Sequence, residues 1–177
     1  MRIVALDLAL RTGVADGEPG ATPHLSFVEF GRENDDHADV FARVLRWIGR
    51  LLDPLNDKGL PDLIVTEAPV AKFDKSLQMG VRGVVLGVAR NRGVKLIEVP
   101  VQTWRAYALG FGNLKGSVAK ARCILMCQRL DWTVPTTKRG NPDHNAAEAA
   151  GMWLWAGGKV DPKNTVRHEP LFVGSRK

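Results

Sequence analysis

Short apolar runs alternate with longer amphipathic stretches along this chain. The run at residues 3–8 is apolar apart from Asp7, which is typical of a strand that is buried on both faces. Similar runs predict four more strands, at residues 12–15, 24–30, 63–67 and 94–99. The first three strands follow one another closely, so we expect an antiparallel meander. The fifth is reached from the fourth through a helix, so we expect these two strands to be parallel.

The amphipathic stretches predict helices between and after these strands. The clearest one follows the possible capping residues Asn34, Asp35 and Asp36, and its apolar positions recur at the spacing of one helical face. Those positions are Val40, Phe41, Val44, Leu45, Ile48, Leu51 and Leu52. Further helices are predicted at 74–91, shortly after Pro100, at 117–130 and at 143–155. This order of elements predicts an α/β fold in which helices flank both faces of a five-stranded mixed sheet.

The predicted helix at 74–91 contains Gly80, Gly83 and Gly87 on one side. Each glycine costs a helix about 1 kcal/mol relative to alanine, so we expect another element to approach this face closely. Two explanations are open at this stage, which are tight packing on the sheet and an interface between two copies of the chain.

The length of 177 residues suits one domain with a continuous core. We expect this domain to span residues 1–157, followed by a polar tail at 158–177. No stretch approaches the roughly 20 apolar residues needed to cross a bilayer, and the start of the chain lacks a signal-peptide cleavage site. Cys123 and Cys127 have no second pair for a zinc site, so we expect buried, reduced cysteines and an intracellular, cytoplasmic location.

The net charge of +6 is unevenly distributed. Residues 1–70 contain 7 basic and 12 acidic side chains, whereas the remainder contains 18 basic and 7 acidic ones. A basic half of this kind suits a polyanion, because phosphate neutralisation supplies most non-specific affinity. Its candidate contacts are Trp104, Tyr107, Lys115, Lys120, Arg122, Lys138 and Arg139. The alternative is that these charges only keep the protein in solution.

Acidic residues mark the carboxyl ends of two predicted central strands, where ligands gather in open α/β sheets. These residues are Asp7 and Glu67. Neighbouring acids repel each other, and the counter-charge that we expect is a divalent metal ion. The last predicted helix adds Asp143, His144 and Glu148, of which the last two share one helical face. These five residues are therefore the candidate metal ligands.

Four segments resemble the RuvC-type Holliday junction resolvases of the RNase H-like superfamily, especially their phage-borne members. They are Ala-Leu-Asp-Leu at 5–8, Ile-Val-Thr-Glu at 64–67, Gly-Phe-Gly-Asn-Leu-Lys at 110–115 and Asn-Ala-Ala-Glu-Ala at 145–149. Their order and spacing carry the resemblance, which spans roughly residues 1–157. It implies an RNase H-like fold, a homodimer, and an endonuclease that resolves four-way DNA junctions. It also implies two Mg²⁺ ions, replaceable by Mn²⁺, and paired nicks that leave 5′-phosphate and 3′-hydroxyl ends.

The resemblance implies that Asp7 contacts both metal ions, with Glu67 and Glu148 holding them from either side. Where the family has its third ligand, this chain has Asn145. Asp143 or His144 would then substitute. His144 is better placed on the helix, whereas Asp143 is the harder oxygen donor for Mg²⁺, so both remain open.

Several residues are candidates for contact with DNA. Lys115 resembles the basic residue that family members bring to the scissile phosphate, or it is a plain contact to backbone phosphate. In relatives, a residue shortly after the glutamate of the fourth strand wedges into the junction, and Phe73 is in a similar position. The alternative is that Phe73 belongs to the core. The full set of candidate DNA contacts is Lys72, Phe73, Lys75, Lys115, Lys120, Lys138 and Arg139.

Two other functions are compatible with the same residues. The chain could be a DNA-binding module that has the fold without the catalysis, since Asn145 and Glu148 depart from the usual ligand types. It could also be a nuclease for other substrates, such as flaps, replication forks or RNA–DNA hybrids. The ligands alone do not distinguish these substrates from four-way junctions.

Overall fold

The computed structural model describes residues 1–69 and 76–166, which form a five-stranded sheet and five helices. The strands are β1 (Ile3–Asp7), β2 (Arg11–Gly17), β3 (His24–Glu29), β4 (Leu63–Glu67) and β5 (Lys95–Val99). The helices are α1 (His37–Leu51), α2 (Ser76–Asn91), α3 (Val101–Leu109), α4 (Gly116–Arg129) and α5 (His144–Val160). None of the helices in this part of the chain is long and apolar enough to cross a membrane.

The strands are arranged in the order β3-β2-β1-β4-β5. β1, β2 and β3 form an antiparallel meander, whereas β4 is parallel to both β1 and β5. This topology confirms the predicted mixed α/β sheet. Because β1, β4 and β5 are parallel, their carboxyl ends lie at the same edge of the sheet.

α1 and α2 cover one face of the sheet. Val40, Val44 and Ile48 of α1 are fully buried against the apolar side chains of the strands. Leu45 was expected on the same face, and this was wrong, because the residue is 53% exposed. It follows Val44 by one position, a rotation of about 100° around the helix axis, which takes it out of the buried stripe.

Of the three glycines of α2, Gly80 meets α1 rather than the sheet. A side chain at position 80 would overlap the ring of Phe41, so Gly80 lets the two helices approach each other closely. At Gly83 and Gly87 an added Cβ would have no described atom within 4 Å. Packing against the sheet therefore does not explain these glycines, and an interface between two copies of the chain stays a prediction.

α5 covers the opposite face, and α3 and α4 pack against it on the outer side. Its alanines allow close approach to the strands, and Trp153 Nε1 donates a hydrogen bond to the Ile3 carbonyl oxygen at 3.2 Å. Cys123 and Cys127 of α4 are buried, as expected, and do not form a disulfide with each other. Burial raises the pKa of the Cys127 thiol to about 12.

α5 ends at Val160, beyond the predicted end at residue 155. Gly157 and Gly158 lie within the helix, where both allow close packing. A side chain at 158 would overlap the Tyr107 hydroxyl group, and Gly157 lies beside Thr165. β2 is likewise longer than predicted, since it begins at Arg11 and ends at Gly17.

Some expectations concern residues outside the described ranges. These are the DNA contacts proposed for Lys72, Phe73 and Lys75, the first two residues of the helix predicted at 74–91, and most of the polar tail at 158–177.

Candidate active site

Asp7 and Glu67 end two neighbouring parallel strands. Leu6 of β1 lies opposite Thr66 of β4, so the next residue of each strand reaches the same edge of the sheet. Both residues are partly exposed at this edge, whereas the residues that precede them are fully buried. The structure therefore brings together the two acids that the sequence placed at strand ends.

The first turn of α5 reaches this edge because Gly13 has no side chain. Gly13 lies opposite Asp7 in the register of β1 and β2, and a Cβ atom there would overlap the backbone of Asn145. Asn145 Nδ2 also donates a hydrogen bond to the Arg11 carbonyl oxygen at 2.6 Å. These contacts hold the start of α5 against β2 and place Glu148, which is 6% exposed, near the strand ends.

Asp7, Glu67 and Glu148 form an acidic cluster. Burial raises the pKa of Asp7 well above its usual value, and the negative charges of Glu148 and Glu67 raise it further. Burial also raises the pKa of Glu148, and the nearby Arg105 and Lys120 offset only part of this effect. Carboxylates that disfavour one another's charged form in this way are a common property of cation-binding and catalytic sites.

Two basic side chains from flanking helices compensate part of this negative charge. Arg105 of α3 donates a hydrogen bond from Nη2 to Glu148 Oε1 at 2.9 Å. Lys120 of α4 favours the charged forms of both Asp7 and Glu148. Lys120 was expected to contact DNA, whereas Arg105 was not among the residues predicted for the site.

Trp104 holds the third carboxylate. Its indole Nε1 donates a hydrogen bond to Glu67 Oε2 at 3.0 Å, and the side chain is fully buried. The expectation that Trp104 belongs to a nucleic-acid face was therefore wrong, because a fully buried ring cannot contact DNA. One feature of the sequence could have indicated the role of Trp104 in the site. α3 starts directly after β5, at the same edge of the sheet as Asp7 and Glu67.

Asp143 and His144 have different surroundings. Asp143 is the N-cap of α5, where its Oδ1 accepts a hydrogen bond from the backbone N–H of Ala146 at 2.9 Å. Its Oδ2 accepts a hydrogen bond from Arg11 Nε at 2.6 Å, and the side chain is 1% exposed. Both carboxylate oxygens of Asp143 are thus used within the protein.

His144 contacts Lys120, the residue that favours the charged forms of Asp7 and Glu148. Its Nε2 lies 2.9 Å from Lys120 Nζ, and the residue is partly exposed. Burial lowers the pKa of His144, and the positive charge of Lys120 lowers it further. A neutral imidazole is the form of histidine that binds metal ions.

The remaining candidate DNA contacts lie on the surface. Lys115 is the N-cap residue of α4 and is exposed, without a side-chain capping hydrogen bond. Lys138 and Arg139 are exposed in the turn before α5. Of the basic candidates in the described ranges, Lys120 is the one that the structure places beside the carboxylates.

The donors of the acidic cluster fit a hard divalent cation, because Mg²⁺ binds oxygen ligands and prefers carboxylates. In the described ranges, no three Asp, Glu, His or Cys side chains are already grouped tightly enough to hold a metal ion. Glu67 and Glu148 are instead hydrogen-bonded to Trp104 and Arg105. The ligand types therefore fit the metal, and two of the three carboxylates also accept hydrogen bonds from neighbouring side chains.

No protein-family model and no curated protein sequence matches the chain. Among solved structures, RuvC from Thermus thermophilus in complex with a Holliday junction substrate matches with a TM-score of 0.66 and 16% identity, over 93% of this chain and 98% of that one. A second Thermus thermophilus RuvC structure matches with a TM-score of 0.61 and 14% identity, over 90% and 95% of the two chains.

This chain has the RuvC resolvase fold. The yeast mitochondrial Holliday junction resolvase Ydc2 shares it, with a TM-score of 0.52 and 12% identity over 92% of this chain and 81% of Ydc2. The RuvC fold predicted from the four sequence segments is thereby confirmed. The acidic cluster lies at the edge of the sheet where the parallel strands of this RuvC fold end.

Proposed function

We propose that this protein is a metal-dependent endonuclease that resolves four-way DNA junctions by paired nicks. The observation that carries the proposal is the acidic cluster of Asp7, Glu67 and Glu148 at the carboxyl edge of a RuvC fold. Two of the solved structures with this fold are described as Holliday junction proteins, one of them in complex with its substrate. The basic second half of the chain adds the charge that a DNA ligand needs.

In this proposal, Asp7, Glu67, His144 and Glu148 hold two Mg²⁺ ions, for which Mn²⁺ can substitute. Bound divalent ions supply activation of a water molecule and stabilisation of the leaving 3′ oxygen, which gives 5′-phosphate and 3′-hydroxyl ends. His144 is preferred to Asp143 as the fourth ligand, because both oxygens of Asp143 are used by Ala146 and Arg11.

Lys120 is assigned to the scissile phosphate. Its ammonium group lies beside the acidic cluster, where a phosphate that approaches the carboxylates would meet it. A positive charge at this place stabilises the negative charge that develops on the phosphate oxygens during hydrolysis. Lys115, Lys138 and Arg139 are assigned to backbone phosphates further along the DNA, because they are exposed.

Paired nicks at a two-fold symmetric junction need two active sites. A homodimer supplies them in the matching symmetry, and we propose that the chain acts as one. Sedimentation equilibrium of the free protein tests this part separately from the chemistry. A monomer at all concentrations and on junction DNA would contradict it.

The decisive experiment compares four-way, three-way, flap and linear duplex DNA, each with Mg²⁺ and with chelator. We expect Mg²⁺-dependent nicking at symmetric positions of the four-way junction, and its loss in Asp7→Asn. The matched control is Asp57→Asn, which neutralises an exposed carboxylate in the loop before β4, at the opposite end of that strand from Glu67. Preference for flaps or three-way junctions would support the nuclease and overturn the four-way junction assignment.

A second candidate is a branched-DNA-binding module without catalysis. Two observations favour it: Asn145 is turned to the Arg11 carbonyl oxygen, and Glu148 is paired with Arg105. Tight junction binding with no Mg²⁺-dependent nicking, unchanged in Asp7→Asn, would support this function instead.

A further inference from the structure

Arg105 directly contacts one carboxylate of the acidic cluster. Its Nη2 donates to Glu148 Oε1 at 2.9 Å, and both side chains are largely buried, at 14% and 8% exposure. Three carboxylates cannot share a poorly hydrated site without compensating positive charge. Among the described residues, Arg105 and Lys120 supply positive charge to this site.

The way in which Arg105 is bound differs from that of a structural arginine in the same protein. Arg2 donates from Nε and Nη2 to the two carboxylate oxygens of Asp16, at 2.7 and 3.0 Å, and from Nη1 to the Gly59 carbonyl oxygen at 2.7 Å. Among the described residues, Arg105 makes a single hydrogen bond, and its Nε is buried without a partner. Arg105 is therefore held by fewer hydrogen bonds than Arg2 is.

Glu148 is also a ligand in the metal site proposed above. A divalent ion and Arg105 therefore compete for the same carboxylate, and the doubly charged ion gains more from the cluster than a guanidinium with one hydrogen bond. Resting on that proposed site, we propose that Arg105 is a built-in counter-ion, which holds Glu148 while no metal is bound and is displaced from it when a divalent ion binds.

The test measures Mn²⁺ binding to the free full-length protein by isothermal titration calorimetry, together with thermal unfolding in chelator. In Arg105→Gln we expect Mn²⁺ to bind about fivefold more tightly or better, because a competing charge near the ion is gone. The melting temperature in chelator should fall, since the acidic cluster loses compensation, and Mn²⁺ should raise it by more than in the wild type.

Arg2→Gln is the matched control, because the Arg2–Asp16 pair has nearly the same burial as the Arg105–Glu148 pair. It should lower the melting temperature without changing the affinity for Mn²⁺. Unchanged or weaker Mn²⁺ binding in Arg105→Gln would overturn the counter-ion role and leave the metal site standing. Absence of Mn²⁺ binding in the wild type as well would overturn both.

A second measurement needs no variant and so holds even where Arg105→Gln fails to fold. In ¹⁵N spectra of the wild type, the Nε–H signal of Arg105 should shift on titration with Mg²⁺, whereas that of Arg2 should stay in place. An Arg105 signal that does not move at saturating Mg²⁺ would contradict displacement.

Discussion

Trp104 Nε1 donates a hydrogen bond to Glu67 Oε2 at 3.0 Å, which ties the helix after β5 to the carboxylate at the end of β4. Groups that fix the orientation of a metal ligand commonly contribute as much to metal affinity or activity as some of the ligands do. Trp104→Phe keeps most of the buried ring and removes this donor. We expect a loss of about tenfold in Mg²⁺-dependent nicking at limiting Mg²⁺, partly recovered at high Mg²⁺.

Trp153→Phe is the matched control for this prediction. Trp153 is also fully buried and donates from Nε1, but to the backbone oxygens of Ile3 and Gly17. We expect a similar loss of stability, about 1 kcal/mol in urea unfolding, with an unchanged Mg²⁺ requirement. Equal Mg²⁺ requirements in the two variants would show that Trp104 has only a packing role.

Substitutions of Lys120 and Lys115 should affect different steps, which are nicking and junction binding. Lys120→Gln removes the ammonium group beside the acidic cluster, and we expect nicking to fall by about 100-fold or more while junction affinity changes little. Lys115→Gln should instead weaken junction binding and reduce its salt dependence by about one counter-ion. Gel-shift affinities at several salt concentrations and single-turnover nicking rates separate the two effects. The reverse pattern would make Lys115 the residue at the scissile phosphate.

Strand ends could be read from the sequence because they depend on local pattern. The apolar runs that finish at Asp7 and Glu67 predicted both their strands and their shared edge, and the RuvC fold confirms the topology. Which side chains meet there depends on helix packing, which has no periodic signature. Arg105 is one of many charged residues in the chain, and its contact with Glu148 exists only because α3 and α5 pack together.

The same limit explains Trp104 and Asp143. A tryptophan in a basic half of the chain looked like a surface for DNA, yet its ring is in the core and only Nε1 reaches the site. Asp143 looked as good a metal ligand as His144, but capping positions attract aspartate for a local reason. Its cap and its pairing with Arg11 appear only once β2 and α5 are seen together.

His144 and Asp143 are predicted to have separable roles. His144→Ala should lower Mn²⁺ affinity by about tenfold or more with little change in stability. Asp143→Asn retains a good N-cap but loses the charge that pairs with Arg11, so we expect a stability loss of about 1–3 kcal/mol and a smaller effect on Mn²⁺ binding. Calorimetric titration with Mn²⁺ and urea unfolding measure these quantities. A larger loss of affinity in Asp143→Asn would identify Asp143 as the ligand.

Gly13 is predicted to be essential for assembling the site. In Gly13→Ala, the new methyl group would overlap the Asn145 backbone, so the start of α5 has to move away from β2. We expect a stability loss of about 1–3 kcal/mol and weaker Mn²⁺ binding, because His144 and Glu148 move with the helix. Gly49→Ala is the control, since its Cβ would meet no described atom within 4 Å. It should stabilise α1 by up to about 1 kcal/mol.

Asp16, which lies near the end of β2 and away from the acidic cluster, should contribute to the acid sensitivity of the fold. Burial alone would raise its pKa, but hydrogen bonds from Arg2 and Lys58 outweigh burial, and the pKa is lowered in the folded state. A pKa that is lower in the folded state than in the unfolded state adds stability at pH values above the unfolded pKa of about 3.9. This stability is lost as the pH falls towards the folded pKa.

In urea unfolding at neutral pH, Asp16→Asn should therefore be less stable than the wild type by about 2 kcal/mol. Below pH of about 4 this difference should shrink, because the wild-type carboxylate becomes protonated and loses its ion pairs. Asp57→Asn, at an exposed carboxylate, should differ little from the wild type in stability at either pH. If the stability difference between Asp16→Asn and the wild type stays constant with pH, the ion pairs do not stabilise the fold.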